Sequence, residues 1–571
     1  MAWVVEGYLI MAYAIGLDYG TNSARCVIVD ASNGKEIVGA VYEYESGDHG
    51  IILNSSDHNL AWQKPGEYIK AIEITVKGAI AGAKRAERNF NAGEIIGIGV
   101  DATSSTPLPV DANTVPLSET ERFRDNPNAY AWLWKDHTGY AEAEEITELA
   151  KKEHPEYLAK CGGTYSSEWF FSKILHCLRS DTEVFDAAHT WLECCDYITA
   201  VLTGTTKPEE IKRSRCAAGH KAMFNDDWGG LPAKKFLAGI DRKLGNLRDR
   251  LYEKSFTIDT PAGTLTGEWA KRVGLKAGIP VAVGAIDAHM GAVGAGIAEG
   301  RLVKIIGTST CDMLIAPKTG KTADIPGICG IVDGSIVPGY LGLEAGQSAV
   351  GDIFNWFVSC IRPGGESAGS HEALTERAAK LKPGQSGLLA LDWNNGNRNI
   401  LADQRLTGLL VGQTLHTRPE EIYRALIEAT AFGALTIIKR LEEYQVKVQE
   451  VVCCGGIAEK NPLLMQIYAD ITGREMKVSR SSQTCALGSA IAAAVVAGKD
   501  KGGFNTVPEA ITAMCGVKQI TYKPKPGNHG IYQQLYALYR QLHDAFGVPG
   551  WTGQPANVMK QLLKIKDSVT T

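Results

Sequence analysis

Residues 14–30, AIGLDYGTNSARCVIVD, set Asp18-Tyr19-Gly20-Thr21-Asn22-Ser23 between two apolar runs. An acid, a glycine and three small hydroxyl or amide side chains suit two different jobs. The backbone N–H groups of such a turn can face an anion while Asp18 holds a metal ion beside it. Alternatively the turn is only a hairpin tip, where glycine and asparagine accept the positive φ that other residues resist. Residues 302–316, LVKIIGTSTCDMLIA, repeat the plan around Gly307 and Thr308. Phosphoryl transfer requires a polyphosphate held by many N–H donors and a cation, and two Gly-Thr turns facing one cleft would grip it from both sides. The repetition favours phosphate binding over simple turn formation and points to two similar lobes.

Two further stretches could complete such a site. In VVCCGGIAEKNPLLMQIYADITG, 451–473, a strand runs into Gly455-Gly456 and a helix begins near Asn461-Pro462, with proline at a first-turn position where its missing N–H costs nothing. The glycines would let backbone approach a flat ligand such as adenine, or merely turn a strand into a helix. In VAVGAIDAHMGAVGAG, 281–296, Asp287 ends an apolar strand ahead of small residues that leave access open. A carboxylate there can take the proton from an attacking hydroxyl, or can cap a helix.

The elements that must position these residues follow an α/β pattern: strand-like runs bounded by glycine, as at 94–105, 279–288 and 448–456, alternate with helix-length segments. Residues 419–444 open with Pro419 and two acids and continue at helical spacing. With 571 residues the chain exceeds what one core usually serves, and the small-residue stretch 291–300 is the expected boundary. A net charge of -5 gives no broad basic field for nucleic acid. The thirteen cysteines form no C-x-x-C pair, so neither a zinc site nor a disulfide framework is suggested, and a reducing cytoplasm fits best. Residues 1–10 contain Glu6, lack a basic start and are too short to span a bilayer; they read as a dispensable extension, with the first strand beginning at Tyr13.

Taken together, these stretches resemble the FGGY family of carbohydrate kinases, a branch of the actin, Hsp70 and hexokinase-like superfamily, from Tyr13 to near the C-terminus. The resemblance implies an α/β fold of two ribonuclease H-like lobes, 1–296 and 297–571, with mixed sheets around a catalytic cleft. The first lobe would carry the sugar site and first phosphate loop, the second the other phosphate loop and the adenosine motif. It implies ATP and Mg2+ as cofactors, Asp287 as catalytic base, and Asp18 and Asp287 nearest the magnesium through waters. Cofactor contacts would come from Gly20, Thr21, Asn22, Ser23, Gly307, Thr308, Gly351, Asn355, Gly455, Gly456 and Asn461.

Residues 101–111, 128–137, 217–225 and 342–357 are similar to the branch that phosphorylates L-ribulose to L-ribulose 5-phosphate in arabinose catabolism. They would supply substrate contacts from Ala102, Trp132, Lys221 and Glu344 beside Asp287. From the residues alone, Trp132 could equally be a core aromatic, Lys221 a surface charge and Glu344 a helix-start carboxylate. Many relatives carry an Asp followed two positions later by Arg after the tryptophan; here Trp134-Lys135-Asp136-His137-Thr138 lacks the arginine, which argues against glycerol kinase and xylulokinase. Another ketopentose or a polyol, such as xylulose or ribitol, stays open as substrate, as does a nucleotide-dependent chaperone or scaffold. His137, His220 and His289 have no ligand spacing and read as ordinary hydrogen-bonding residues. The expected partner is a small ketopentose, with no nucleic acid and no membrane; the oligomeric state, including a homodimer, is left open.

Overall fold

The computed structural model describes residues 4–5, 8–9, 11–54, 56–318, 324–363 and 369–570. Of the N-terminal extension only Val4–Val5 and Tyr8–Leu9 are described, paired antiparallel; the rest of residues 1–10 lies outside the described residues.

The opening stretch forms two antiparallel strands, Tyr13–Tyr19 and Ser23–Asp30. Every residue of Tyr13–Tyr19 is buried, as a strand covered on both faces requires of a run without polar alternation. Glu36–Glu43 adds a third antiparallel strand, while Ile95–Ala102 lies parallel on the other side, with Pro280–Ala282 and Ala285–Ile286 parallel beyond it. The second sheet repeats this plan. Arg301–Ile306 and Thr310–Pro317 form the hairpin, Tyr340–Ala345 the third antiparallel strand and Glu450–Cys454 the parallel neighbour. Both sheets are therefore mixed, as the hairpins demand.

The helix Thr484–Ala497 lies directly on the first sheet. A Cβ built at Gly16 would stand 1.7 Å from Ala486 O, one at Gly97 2.3 Å from Ala493 O and one at Gly99 1.9 Å from Ser489 O. The helix Asp287–Gly294 crosses it as closely: a Cβ at Gly294 would be 2.0 Å from Thr484 O, and one at Gly488 1.9 Å from Met290 O. Gly294 and Gly488 thus serve helix packing, where no side chain fits. A separate aromatic-rich cluster, including Trp62, Trp132, Phe170, Phe171 and Trp191, supports the segments inserted after Ala102. The 419–444 segment is the helix Pro419–Glu443, starting on proline and two acids as expected. All thirteen cysteines are free. No helix among the described residues is long and apolar enough to cross a membrane.

Candidate active site

A cavity of about 930 Å³ opens between the two sheets, lined from one side by Thr21, Thr103 and Asp287 and from the other by Thr308, Glu344 and Arg398. Half-buried Asp287 lines it, and the buried carboxylates Asp18 and Asp101 lie close enough to act on one another and on Asp287 by charge. Asp18 is the penultimate residue of the first strand, and the parallel register makes Asp101 its lateral neighbour. Asp287 is the first residue of its helix, with Ile286 as N-cap, so the capping role considered from sequence does not apply. Arg25 Nη1 donates to Asp18 Oδ2 at 3.1 Å, and Ser489 Oγ donates to Asp101 Oδ2 at 2.6 Å. Burial, then the charge of Asp18, pushes the Asp287 carboxyl up to about 7. Burial and the same neighbour push Asp101 well above the usual carboxylate range. Asp101 Oδ1 has no hydrogen-bond partner. Crowded, desolvated carboxylates with an unpartnered oxygen are a fitting donor set for a hard divalent cation. Sequence reading missed Asp101; its signal was an acid next to the end of an apolar strand in the manner of Asp18.

The two Gly-Thr turns reach the cavity through Thr21 and Thr308. Gly20 N–H donates to Ser23 O at 3.0 Å and Gly307 N–H to Ser309 O at 2.9 Å, so each turn closes tightly on itself. Neither glycine has positive φ, contrary to the hairpin argument. Asn22 is tied to the 44–49 loop by its Nδ2, which donates to His49 O, and by its carbonyl, which accepts from Tyr44 N–H. Ser23 is buried at the start of the second strand. Gly351 opens a helix against the second turn, donating to Gly307 O at 3.1 Å. A Cβ there would meet Gly307 O at 2.5 Å and Ile457 at 2.7 Å, so the second turn, this helix start and the glycine pair at 455–456 form one cluster. Asn355 is exposed on the same helix.

Gly455 has φ 95°, and a Cβ on it would come 2.4 Å from Ile306 O; Gly456 has nothing within 4 Å of its Cβ position. Asn461 caps the helix Pro462–Thr472, its Oδ1 accepting from Leu464 N–H at 3.0 Å. Gly455, Gly456 and Asn461 do not line the cavity itself.

Elsewhere in the cavity wall, Lys221 closes the helix Arg215–Lys221 and Glu344 sits in the strand Tyr340–Ala345, not at a helix start. Lys221 Nζ donates to both Glu344 oxygens, at 3.1 and 3.2 Å, and both residues are buried in the cavity wall. Burial alone would depress the lysine and raise the acid. Their mutual attraction overrides it, holding Lys221 above and Glu344 well below their ordinary ranges. Trp132 is corrected: it is fully buried, edge-on to Trp62, and donates Nε1–H to Asn128 O, so it is a core aromatic outside the cavity lining. Trp134 lines the cavity instead, donating Nε1–H to Thr21 Oγ1 at 2.9 Å, and Trp169 offers its ring 5.7 Å from Lys221 Nζ. Ala102 is also fully buried, with the wall formed by Thr103 and Ser104 after it.

Glu168 and Arg398, neither foreseen, pair at 3.4 Å across the cavity wall. Thr138, where the resemblance implies arginine in other branches, donates through N–H and Oγ1 to the buried Asp136, which makes that acid a structural tie. His220 and His289, separated in sequence, are brought together with ring centroids 4.4 Å apart against Glu344. Neither ring nitrogen of His289 makes a hydrogen bond, contrary to its reading as an ordinary hydrogen-bonding residue.

Residues 13–294 match the N-terminal domain, and residues 302–497 the C-terminal domain, of the FGGY family of carbohydrate kinases. A ribulokinase from Geobacillus thermodenitrificans is 43% identical over 548 residues, covering 94% of this chain and 94% of that protein. A ribulokinase from Bacillus licheniformis is 42% identical over 561 residues, covering 95% and 98%. The crystal structure of xylulose kinase from Rhodospirillum rubrum superposes with a TM-score of 0.74 at 23% identity, covering 94% of this chain and 99% of that one, a likeness of fold.

Proposed function

The chain belongs to the FGGY family of carbohydrate kinases and is a phosphotransferase acting on a sugar hydroxyl; on that premise we propose that it transfers the γ-phosphoryl group of ATP to L-ribulose, giving L-ribulose 5-phosphate. The observation that carries this choice of sugar is the likeness, along nearly the whole chain, to relatives named ribulokinase. Membership of a kinase family closes the chaperone alternative. The reading puts the enzyme in the cytoplasm, in arabinose catabolism, with its two lobes divided near residues 296 and 297.

Asp287 is the base of this reaction. Its raised carboxyl is matched to accepting a hydroxyl proton near neutral pH, and its place at a helix start on the cavity floor leaves one side free for substrate. Asp18 and Asp287 would hold magnesium through waters, and the ion would supply charge neutralisation on the phosphates. The N–H groups around Gly20 and Gly307 cradle those phosphates, and the open space at Gly456 takes the adenosine. Lys221 and Glu344 present a fixed donor and acceptor to the sugar hydroxyls, with Trp134 and Trp169 as apolar walls.

Coupled measurement of ADP formation on L-ribulose, D-ribulose, D-xylulose and ribitol tests the assignment. The highest kcat/KM is expected on L-ribulose; a higher value on any of the others reassigns the substrate.

A further inference from the structure

Two buried imidazoles that take no part in the phosphoryl transfer described above meet the Glu344 carboxylate at the cavity wall. His220 Nδ1 lies 3.2 Å and His289 Nε2 3.5 Å from Glu344 Oε2, and the three atoms are all within 4.8 Å of one another. Both imidazoles are fully buried. Ser335 Oγ donates to Val332 O at 3.2 Å and sits 2.9 Å from His220 Nε2. With the serine hydrogen committed to Val332 O, Nε2 would carry the ring hydrogen and Nδ1 would keep its lone pair beside the carboxylate, and Nδ1 has no hydrogen-bond partner. His289 has no hydrogen-bond partner on either nitrogen. A lone pair facing a carboxylate in a dry interior is costly unless a cation stands between them.

The geometry points to a second divalent-cation site, formed by His220, His289 and Glu344 and suited to Zn2+ and ions like it rather than to magnesium. Imidazole favours zinc, cobalt or nickel, whereas magnesium prefers an all-oxygen shell. Ligands bonded at about 2.1 Å to a tetrahedral ion stand about 3.4 Å apart. The two distances to Glu344, 3.2 and 3.5 Å, bracket that value. Two imidazoles and one carboxylate leave a fourth position, and both His289 and Glu344 line the cavity from which an ion would enter.

The Lys221 ammonium, 3.1 Å from Glu344 Oε1, is the competing charge. Ion and lysine draw on one carboxylate, so a bound ion loosens Lys221. The cation site stands independently of the choice of sugar; its consequence, that ion and sugar exclude each other, rests on the reading that Lys221 and Glu344 hold the sugar.

Co2+ titration of the whole protein tests the site without an activity measurement, because the visible spectrum of cobalt reports its ligands. Wild type is expected to bind one Co2+ with a tetrahedral visible band that Zn2+ removes and excess Mg2+ does not. His289→Leu removes a ligand and orphans no hydrogen-bond partner; Co2+ affinity should fall about tenfold or more with Tm retained. Anomalous diffraction from Zn2+-soaked wild-type crystals gives a measurement that needs no variant, with a peak expected about 2.1 Å from the two ring nitrogens. Absence of the cobalt band in wild type, an unchanged band in a folded His289→Leu, or an anomalous peak elsewhere overturns the site. L-Ribulose is then added to the Co2+-loaded protein. Displacement of Co2+ supports the shared carboxylate. Co2+ that stays in place while the enzyme phosphorylates L-ribulose overturns the sugar contact of Glu344 and leaves the cation site standing.

Discussion

Lys221 Nζ lies 3.1 and 3.2 Å from the two oxygens of Glu344, 123 residues further along the chain, and joins a helix end under the first sheet to a strand of the second. Both partners are buried, so each is held in its charged form by the other.

Breaking that pair should separate stability from specificity. Lys221→Met leaves the Glu344 carboxylate buried without its lysine, at a cost of about 3–5 kcal/mol, and pairing it with Glu344→Gln should recover most of the loss. Urea unfolding of the two variants checks this; equal loss in single and double variants would show that the ion pair is not the cause. For the sugar, Lys221→Ala and Glu344→Ala should lower kcat/KM for L-ribulose more than for D-ribulose or D-xylulose, because a site built to bond particular hydroxyls discriminates through them. KM for ATP should hardly move. Equal losses on every sugar, or a loss mainly in ATP affinity, removes these residues as sugar readers.

The Asp287 carboxyl, pushed up to about 7, gives the pH dependence a sign. Only the deprotonated acid can accept a proton, so kcat/KM should rise with pH through about 7 and level off above it. Asp18→Asn removes a negative neighbour that raises Asp287, so any residual activity should show its rising limb displaced to lower pH. Asp287→Asn should lose the limb and about 100-fold or more of turnover while ATP still binds. Near-normal turnover in Asp287→Asn would rule it out as base.

The adjacent glycines at 455 and 456 should fail differently. At Gly455 any side chain meets a φ of 95° and a carbonyl oxygen 2.4 Å away, so Gly455→Ala should lose about 1–3 kcal/mol of stability whether or not nucleotide is present. Gly456 faces open space, so Gly456→Val should fold normally, bind ATP more weakly and keep its sugar affinity. Thermal melts beside separate ATP and ribulose titrations compare the two. Unchanged ATP affinity in Gly456→Val would put the adenosine elsewhere.

The two Gly-Thr turns, the glycine pair, the acid following the strand at 285–286 and the α/β alternation were legible in the sequence because each depends on neighbours within a few residues. Glycine, proline and apolar runs act locally, and the repeated strand-turn-strand plan needs no knowledge of what it packs against. Which acid stands beside Asp18 was another matter. Asp101 reaches it only through a parallel crossover, since parallel strands pair across intervening chain. Trp132 and Trp134 are indistinguishable by composition or spacing; packing against Trp62 takes the first into the core, and the bond to Thr21 keeps the second at the cavity. The small residues at 291–300 read as a boundary by composition, and within them Gly294 is also required by the closeness of the crossing helix. Lys221, Glu344, His220 and His289 converge because three separate chain segments are folded against one another. The charge state of each is then decided by burial and by its neighbours, neither of which exists before the tertiary structure does.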